Sequence, residues 1–238
     1  MQLYYIRHGQ SYNNALWERT GNDIGRSDDP ELTELGYQQA QAVAQLLLNS
    51  NATFPNFTQP GGFGITHVYC SLMLRAVQTG TIIAETLGLP LLTWLDIHES
   101  GGMYLDDETS GEKIGMPGKN REYFEQHFPN LVLPDALGSE GWWNRPFEER
   151  EERPLRARRV VEELKRRHGE GNDRVVFVSH GGFYNHLLAA MMGLSSRPEF
   201  WFLTYNTGIN RIDFDREEPV LVYQNRIDHL TPELLTLM

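Results

Sequence analysis

Among its 238 residues the chain has a single cysteine, Cys70. One thiol closes no internal disulfide, which excludes a small cross-linked secreted scaffold. Cys70 ends an apolar run and is expected to fill a small buried position. Long apolar runs are missing as well. None approaches the roughly 18–20 residues that a membrane span needs. Arg7 and His8 interrupt the N-terminal run before it could serve as an export segment. The expected compartment is therefore the cytoplasm, with no membrane partner. Positive charge is also scarce: 32 acidic residues face 21 basic ones, for a net charge of −11. Broad nucleic-acid binding needs a basic face, so that class is excluded. A small anionic substrate is not, because it needs only a local cluster of cations.

What is present reads as one α/β domain. The length suffices for a sizeable core. The runs 2–6, 65–70, 91–95 and 174–178 are aromatic or β-branched and read as strands, with later strands at 209–214 and 219–224. Helical spacing appears between them. It covers 33–48, with Thr33 as N-cap, and 73–87, stopping near Gly88 and Pro90. It also covers 154–168, with Pro154 in the first turn or at a kink, and 181–193, ending at Gly193. Strands alternating with helices imply a largely parallel sheet covered on both faces. The GGFG at 61–64 precedes a strand and reads as a turn rather than a phosphate loop. The segment 100–150 breaks the alternation. It carries Tyr104, Tyr123, Phe124, Trp142 and Trp143 and is expected to be a lid or substrate cap. The EEREER run at 148–153 is expected to be a solvated helix face.

Four strands end in residues that carry chemistry. The first runs into Arg7, His8 and Gly9. The second runs into Ser71, with Arg75 four residues on, and another runs towards Glu99. The 174–178 strand runs into Ser179, His180 and Gly181. In a parallel sheet these ends lie along one edge, where ligands bind. Two arginines offer planar forks that match phosphate oxygens. Glycine after each histidine allows a close backbone approach. Ser11 and Asn14 fall in the first turn of the next helix, whose N-terminus adds free N–H donors. Such a cleft suits one phosphoryl group. A neutral imidazole can attack phosphorus. A second, protonated one stabilises the equatorial oxygens, and Glu99 can protonate the leaving oxygen. A metal at His8, His180, Asp28 and Asp29 is the rival chemistry. No metal-ligand spacing supports it, and two arginines would repel the ion.

Arg7-His8-Gly9-Gln10-Ser11, followed by Asn14, resembles the RHG signature of the histidine phosphatase superfamily. That group contains the cofactor-dependent phosphoglycerate mutases. Three further blocks resemble the family in order. They are Asp29-Pro30 with Leu32-Thr33, Gly36 and Gln39-Ala40; then Ser71, Arg75-Ala76 and Gln78-Thr79; then Val178 to Gly182. The resemblance implies a single-domain three-layer α/β/α sandwich over 1–238, with a mixed, mostly parallel sheet and an inserted cap. It implies that His8 accepts the phosphoryl group and that Arg7, Arg75 and His180 bind it, with Gly9, Ser11, Asn14 and Gly181 assisting. Glu99 would be the proton donor, and neither metal nor cofactor is needed.

One departure bears on activity. Ser100-Gly101-Gly102-Met103 follows Glu99 where the mutases carry a basic run. The expectation is therefore a phosphomonoester hydrolase acting on a small phosphorylated metabolite. A phosphoglycerate mutase-like transferase is the alternative, and a non-catalytic phosphate binder is the second. If Lys113, Lys119, Arg121 and Arg145 of the cap face the cleft, the substrate carries a second anion. If they point away, it does not. An apolar patch on the late strands leaves room for a homodimer.

Overall fold

Both faces of strand β1 (Gln2–Arg7) are covered, and this explains its unbroken apolar run. Leu3 and Tyr5 join one buried cluster; Tyr4 and Ile6 join another on the opposite face. The computed structural model describes residues 1–49, 53–54, 57–58, 63–196, 199–214 and 218–237. After β1 come α1 (Tyr12–Thr20), α2 (Glu34–Leu48), the short strands β2 (Thr53–Phe54) and β3 (Phe57–Thr58), β4 (His67–Cys70) and α3 (Leu74–Leu87). Next are β5 (Leu91–Thr93), the hairpin of β6 (Tyr104–Asp106) and β7 (Lys113–Gly115), α4 (Arg121–His127) and β8 (Leu131–Val132). The chain continues with α5 (Glu152–His168), β9 (Arg174–Ser179), α6 (Gly181–Met191), β10 (Ile209–Asp213) and β11 (Val220–Arg226).

The central sheet has seven strands in the order β11-β10-β1-β9-β4-β5-β8. The five from β1 to β8 run parallel; β10 and β11 are antiparallel additions at one edge. Helices α2 and α3 cover one face with Val43, Ala44, Leu47, Val77 and Ile83. Helices α5 and α6 cover the other with Ala157, Val160, Leu164, Phe183 and Leu187. This is the expected three-layer α/β/α sandwich with a mixed sheet. Thr33 caps α2 by accepting from the Gly36 N–H, and Cys70 is buried, as read from the sequence. Gly61 and Gly62 of the GGFG turn lie outside the described residues. Phe63 of the same run is fully buried against Tyr4, so this position is core.

Two expectations differ from what is seen. Little of segment 100–150 caps the cleft. Strand β8 extends the central sheet, and Phe124, Trp142 and Trp143 are buried in the α2–α3 side of the core. Of its aromatics, Phe124, Trp142 and Trp143 therefore serve packing. Second, the run at 148–153 is a solvated helix face only in part: residues 149–152 are exposed, but most of the run precedes the helix. Helix α5 begins only at Glu152, and Glu148 is buried. Glu148 pairs bidentately with buried Arg156, at 2.5 Å from Nε and 2.8 Å from Nη2. A buried carboxylate persists where a guanidinium fork matches it, and the sequence gives no sign of that partner eight residues away.

Candidate active site

Parallel register brings the strand ends flush. Arg7 lies opposite Ser179, Cys70 opposite Val178, and Cys70 opposite Thr93. The residues that follow β1, β4, β5 and β9 thus share one edge of the sheet. His8 and His180 stand side by side there, with ring centroids 5.1 Å apart.

The hydrogen bonds of His8 fix its tautomer. Its Nδ1 donates to the Gly9 carbonyl at 2.7 Å, and its Nε2 accepts from Arg75 Nε at 3.1 Å. Nε2 therefore carries the lone pair. Burial first, then Arg75 and Arg7, push the His8 pKa well below the ordinary histidine range. The ring stays neutral in mild acid. In a titration by proton NMR, the His8 ring resonance is expected to hold its neutral position from pH 8 down to about 5.5. A midpoint near the ordinary value of about 6.5 would contradict this environment.

His180 accepts or donates through Nε2 at 2.7 Å from Ser71 Oγ, and its Nδ1 has no hydrogen-bond partner. Burial, then Arg75 and His8, hold it neutral as well. The sequence reading has this histidine protonated beside a phosphoryl group. The charge that would favour its proton is that of a bound phosphoryl group. Below it, the Tyr5 hydroxyl accepts from the His180 N–H and lies 2.7 Å from Ser179 Oγ.

Arg7 is buried. Its Nη1 donates to the carbonyls of Thr204, at 2.7 Å, and Leu237. Its Nε has no partner, and burial lowers its pKa to about 10. Arg75 is half-buried, with Nη2 3.2 Å from Met73 Sδ. Asp29 sits behind it, accepting from the Leu74 N–H at the start of α3, and burial pushes its pKa up to about 6.

Glu99 docks on the N-terminus of α6. It accepts from the N–H groups of Gly182 at 3.1 Å, Phe183 at 2.9 Å and Ser100 at 2.6 Å. A Cβ on residue 182 would lie 2.3 Å from Glu99 Oε1, so this close approach requires glycine. The turn before Glu99 is held from below. Arg156 Nη1 donates to the carbonyls of Asp96 and His98, and Ser179 Oγ donates to that of Ile97.

The structure brings Arg7, His8, Arg75, Glu99 and His180 together, and it gives Gly9 and Ser11 a different part. Gly9 donates to Thr79 Oγ1 and abuts the Gly36 backbone, where a Cβ would come within 2.5 Å of the carbonyl oxygen. It holds the His8 ring through its carbonyl. Ser11 is the N-cap of α1, in a reciprocal capping box with Asn14. Asn14 and Gly181 line the cleft, which also includes Arg7 and Glu99 and has a volume of about 560 Å³. Other residues of the motif blocks are scaffold. Gln39 accepts from the Gln10 N–H, Thr33 donates to Gln10 Oε1, and Gln78 accepts from Leu32.

Apart from Tyr104, which belongs to the expected cap, the rest of the wall was not read from sequence. It comes from Asn13, Trp17, Asp23, Arg26, Tyr104, Trp201, Leu203, Thr204 and Leu237. Only the exposed aromatic Trp17, close to the RHG run, hinted at it. Of the cap cations Lys113, Lys119, Arg121 and Arg145, none lines this cleft. Lys113 pairs with Asp106, Lys119 lies over Tyr123, Arg121 donates to the carbonyls of Leu137 and Pro134, and Arg145 stacks on Trp143. Arg26 reaches the cleft, but it donates to the Tyr104 carbonyl at 2.6 Å and lies 3.7 Å from Asp106.

The family model of the histidine phosphatase superfamily (branch 1) matches residues 3–227. A probable phosphoglycerate mutase of Yersinia pestis is 28% identical over 221 residues, covering 93% of this chain and 88% of its own. Phosphoserine phosphatase from Entamoeba histolytica, solved with 3-phosphoglyceric acid, is similar in fold. Its TM-score is 0.60 at 22% identity, over 97% of this chain and 99% of that one. A mycobacterial glucosyl-3-phosphoglycerate phosphatase solved with VO3 gives 0.59 at 22% identity, over 95% and 99%.

Proposed function

Given that the chain belongs to the histidine phosphatase superfamily (branch 1), we propose that it is a metal-independent phosphomonoester hydrolase working through a phosphohistidine on His8. The observation that carries the reading is the His8 tautomer. Nε2 is unprotonated, buried, and faces a guanidinium that also suits a phosphoryl oxygen.

On substrate binding, Arg75 transfers its N–H from Nε2 to the phosphoryl oxygens, and Arg7 and His180 supply further donors. Nε2 attacks phosphorus as the bond to the leaving oxygen breaks, and Glu99 delivers the proton that oxygen needs. Water then attacks phosphorus, the P–N bond breaks, and Glu99 takes the proton back. Substituting Gly182 by alanine tests the Glu99 assignment. The added Cβ displaces the carboxylate, and kcat is expected to fall about a hundredfold with KM little changed. Steady-state kinetics and a parallel melting curve check this; an unchanged kcat would remove Glu99 from the reaction.

The wall of the cleft supports hydrolysis over mutase chemistry. A mutase substrate such as phosphoglycerate carries a carboxylate beside its phosphate. Arg26 is already committed, Asp23 adds negative charge, and the cap cations are elsewhere. Trp17, Tyr104, Trp201 and Leu203 instead offer apolar surface, with Trp17 40% and Trp201 46% exposed. The preferred substrate is thus a phosphomonoester with an apolar or aromatic leaving group. 1-Naphthyl phosphate is expected to exceed 3-phosphoglycerate in kcat/KM by at least about tenfold, and Trp17→Ala should reduce that ratio about fivefold. A preference for 3-phosphoglycerate, with phosphoryl transfer to a second glycerate, would favour the mutase reading. Retention of either ester without phosphate release would favour a binder.

A further inference from the structure

We propose that His67, His168 and Asp173 bind one divalent zinc ion at the end of the sheet opposite the catalytic cleft. Each offers one ligand atom, and the three atoms lie within 4.8 Å of one another. They come from three separate segments. His67 is the first residue of β4, His168 the last of α5, and Asp173 immediately precedes β9. Because β4 and β9 are parallel, with Cys70 and Val178 paired at the cleft end, His67 lies about 10 Å of strand away from the chemistry. The ion would tie the end of α5 to the edges of two central strands.

The donor set fits zinc. Two imidazoles and a carboxylate are its common ligands, and three protein ligands leave the fourth position to water. His168 Nδ1 lies 2.8 Å from Asp173 Oδ2, and its Nε2 lies 3.1 Å from the Tyr69 hydroxyl. His67 Nδ1 lies 2.9 Å from Thr66 Oγ1, which leaves Nε2 to ligate. The two imidazoles meet edge to face with centroids 4.7 Å apart. On binding, the proton between His168 Nδ1 and Asp173 is lost from Nδ1 and one is taken up from solvent at Nε2, so the imidazole changes tautomer with no net loss of protons. Both atoms then bond the ion, and their separation opens by about half an ångström to a tetrahedral edge. The Tyr69 hydroxyl turns from donor to acceptor of the Nε2 proton, which fixes the imidazole for coordination. His168 is buried while His67 and Asp173 are half-buried, so the site has an entry path.

Cobalt(II), which absorbs visible light strongly when tetrahedral, is the probe. Titrated into the EDTA-treated, dialysed full chain, it is expected to give a saturable visible band at one equivalent. Zinc should displace it. His67→Gln and Asp173→Asn should each weaken binding at least tenfold. Zinc at a hundred times its Kd is expected to raise the wild-type Tm by about 5 °C and to leave His67→Gln unmoved. His67→Gln lies at the surface end of β4, so its own melting curve shows that the fold is kept. No band would overturn the proposal. So would a band that persists in His67→Gln but disappears in His8→Ala, which would place the metal at the catalytic histidines.

Discussion

Release of phosphate from p-nitrophenyl phosphate in EDTA is expected to fall at least about ten-thousandfold when His8 is replaced by alanine. No other side chain near the phosphoryl position has a neutral nitrogen lone pair so placed. His180 is the only other imidazole beside it among the described residues, and its Nε2 is taken by Ser71. The two arginines cannot act as nucleophiles, because burial first, then Arg75 beside Arg7 and Arg26 beside Arg75, lower their pKa values while both stay protonated. His8→Ala removes the group that forms the covalent bond and leaves the clamp of Arg7, Arg75 and His180 intact. Phosphate ester should therefore still bind. Trapping with labelled substrate, with the wild type quenched in alkaline detergent, should yield a base-stable, acid-labile phosphoprotein that His8→Ala lacks. Activity surviving in the variant would place the nucleophile elsewhere. EDTA-sensitive activity in the wild type would reject the metal-independent route.

Arg156→Ala is expected to destabilise the chain by about 3–5 kcal/mol, read by urea unfolding. That corresponds to a drop of about 10 °C in Tm for a domain of this size. The guanidinium satisfies both Glu148 oxygens and two carbonyls, those of Asp96 and His98, from a fully buried position. Truncation leaves a buried carboxylate without its partner and two carbonyls without donors. Glu148 also accepts from the Gly101 N–H at 3.1 Å, so the turn on either side of Glu99 loses its support. Activity should fall with stability even at temperatures where the variant is folded, because Glu99 is no longer held against α6. The double variant Glu148→Leu/Arg156→Met removes both charges and should recover much of the lost stability without restoring the Glu99 turn. Arg153, whose Nε lies 3.9 Å from Glu148 at the edge of the pair, is the control. Arg153→Ala is expected to cost less than about 1 kcal/mol. A loss for Arg156→Ala as small as that would mean that solvent reaches Glu148.

Much of the site was legible because it is built from strand ends. A run such as QLYYI followed by RHG states both the element and what its end presents. Glycine, serine and histidine at the end of 174–178 state it again. Topology does the rest: right-handed parallel crossovers place all such ends on one edge, so residues 7, 8, 75, 99 and 180 could be brought together without coordinates. The helix caps were legible for a similar reason, since Thr33 needs only its own neighbours to cap α2.

The rest depended on partners far along the chain. Glu148 reads as one more acid in a charged run until Arg156 and the Gly101 N–H are seen to enclose it. Trp142 and Trp143 read equally as core or as ligand contacts until both are seen buried in the α2–α3 core. The cap cations read either as a second anion site or as outward-facing until each is found on a carbonyl, an aromatic face or an acid of its own segment. The cleft wall from Trp17, Trp201 and Leu203 is assembled from a helix and a loop with no shared pattern. The sequence alone determined the layer architecture, the phosphate-facing edge and the identity of its charged groups, because these follow from local periodicity and from what ends each strand. The tertiary structure decided the His8 tautomer, the neutrality of His180, the hold on Glu99 and the apolar wall. Each of those depends on burial and on hydrogen-bond partners that come from other segments of the chain.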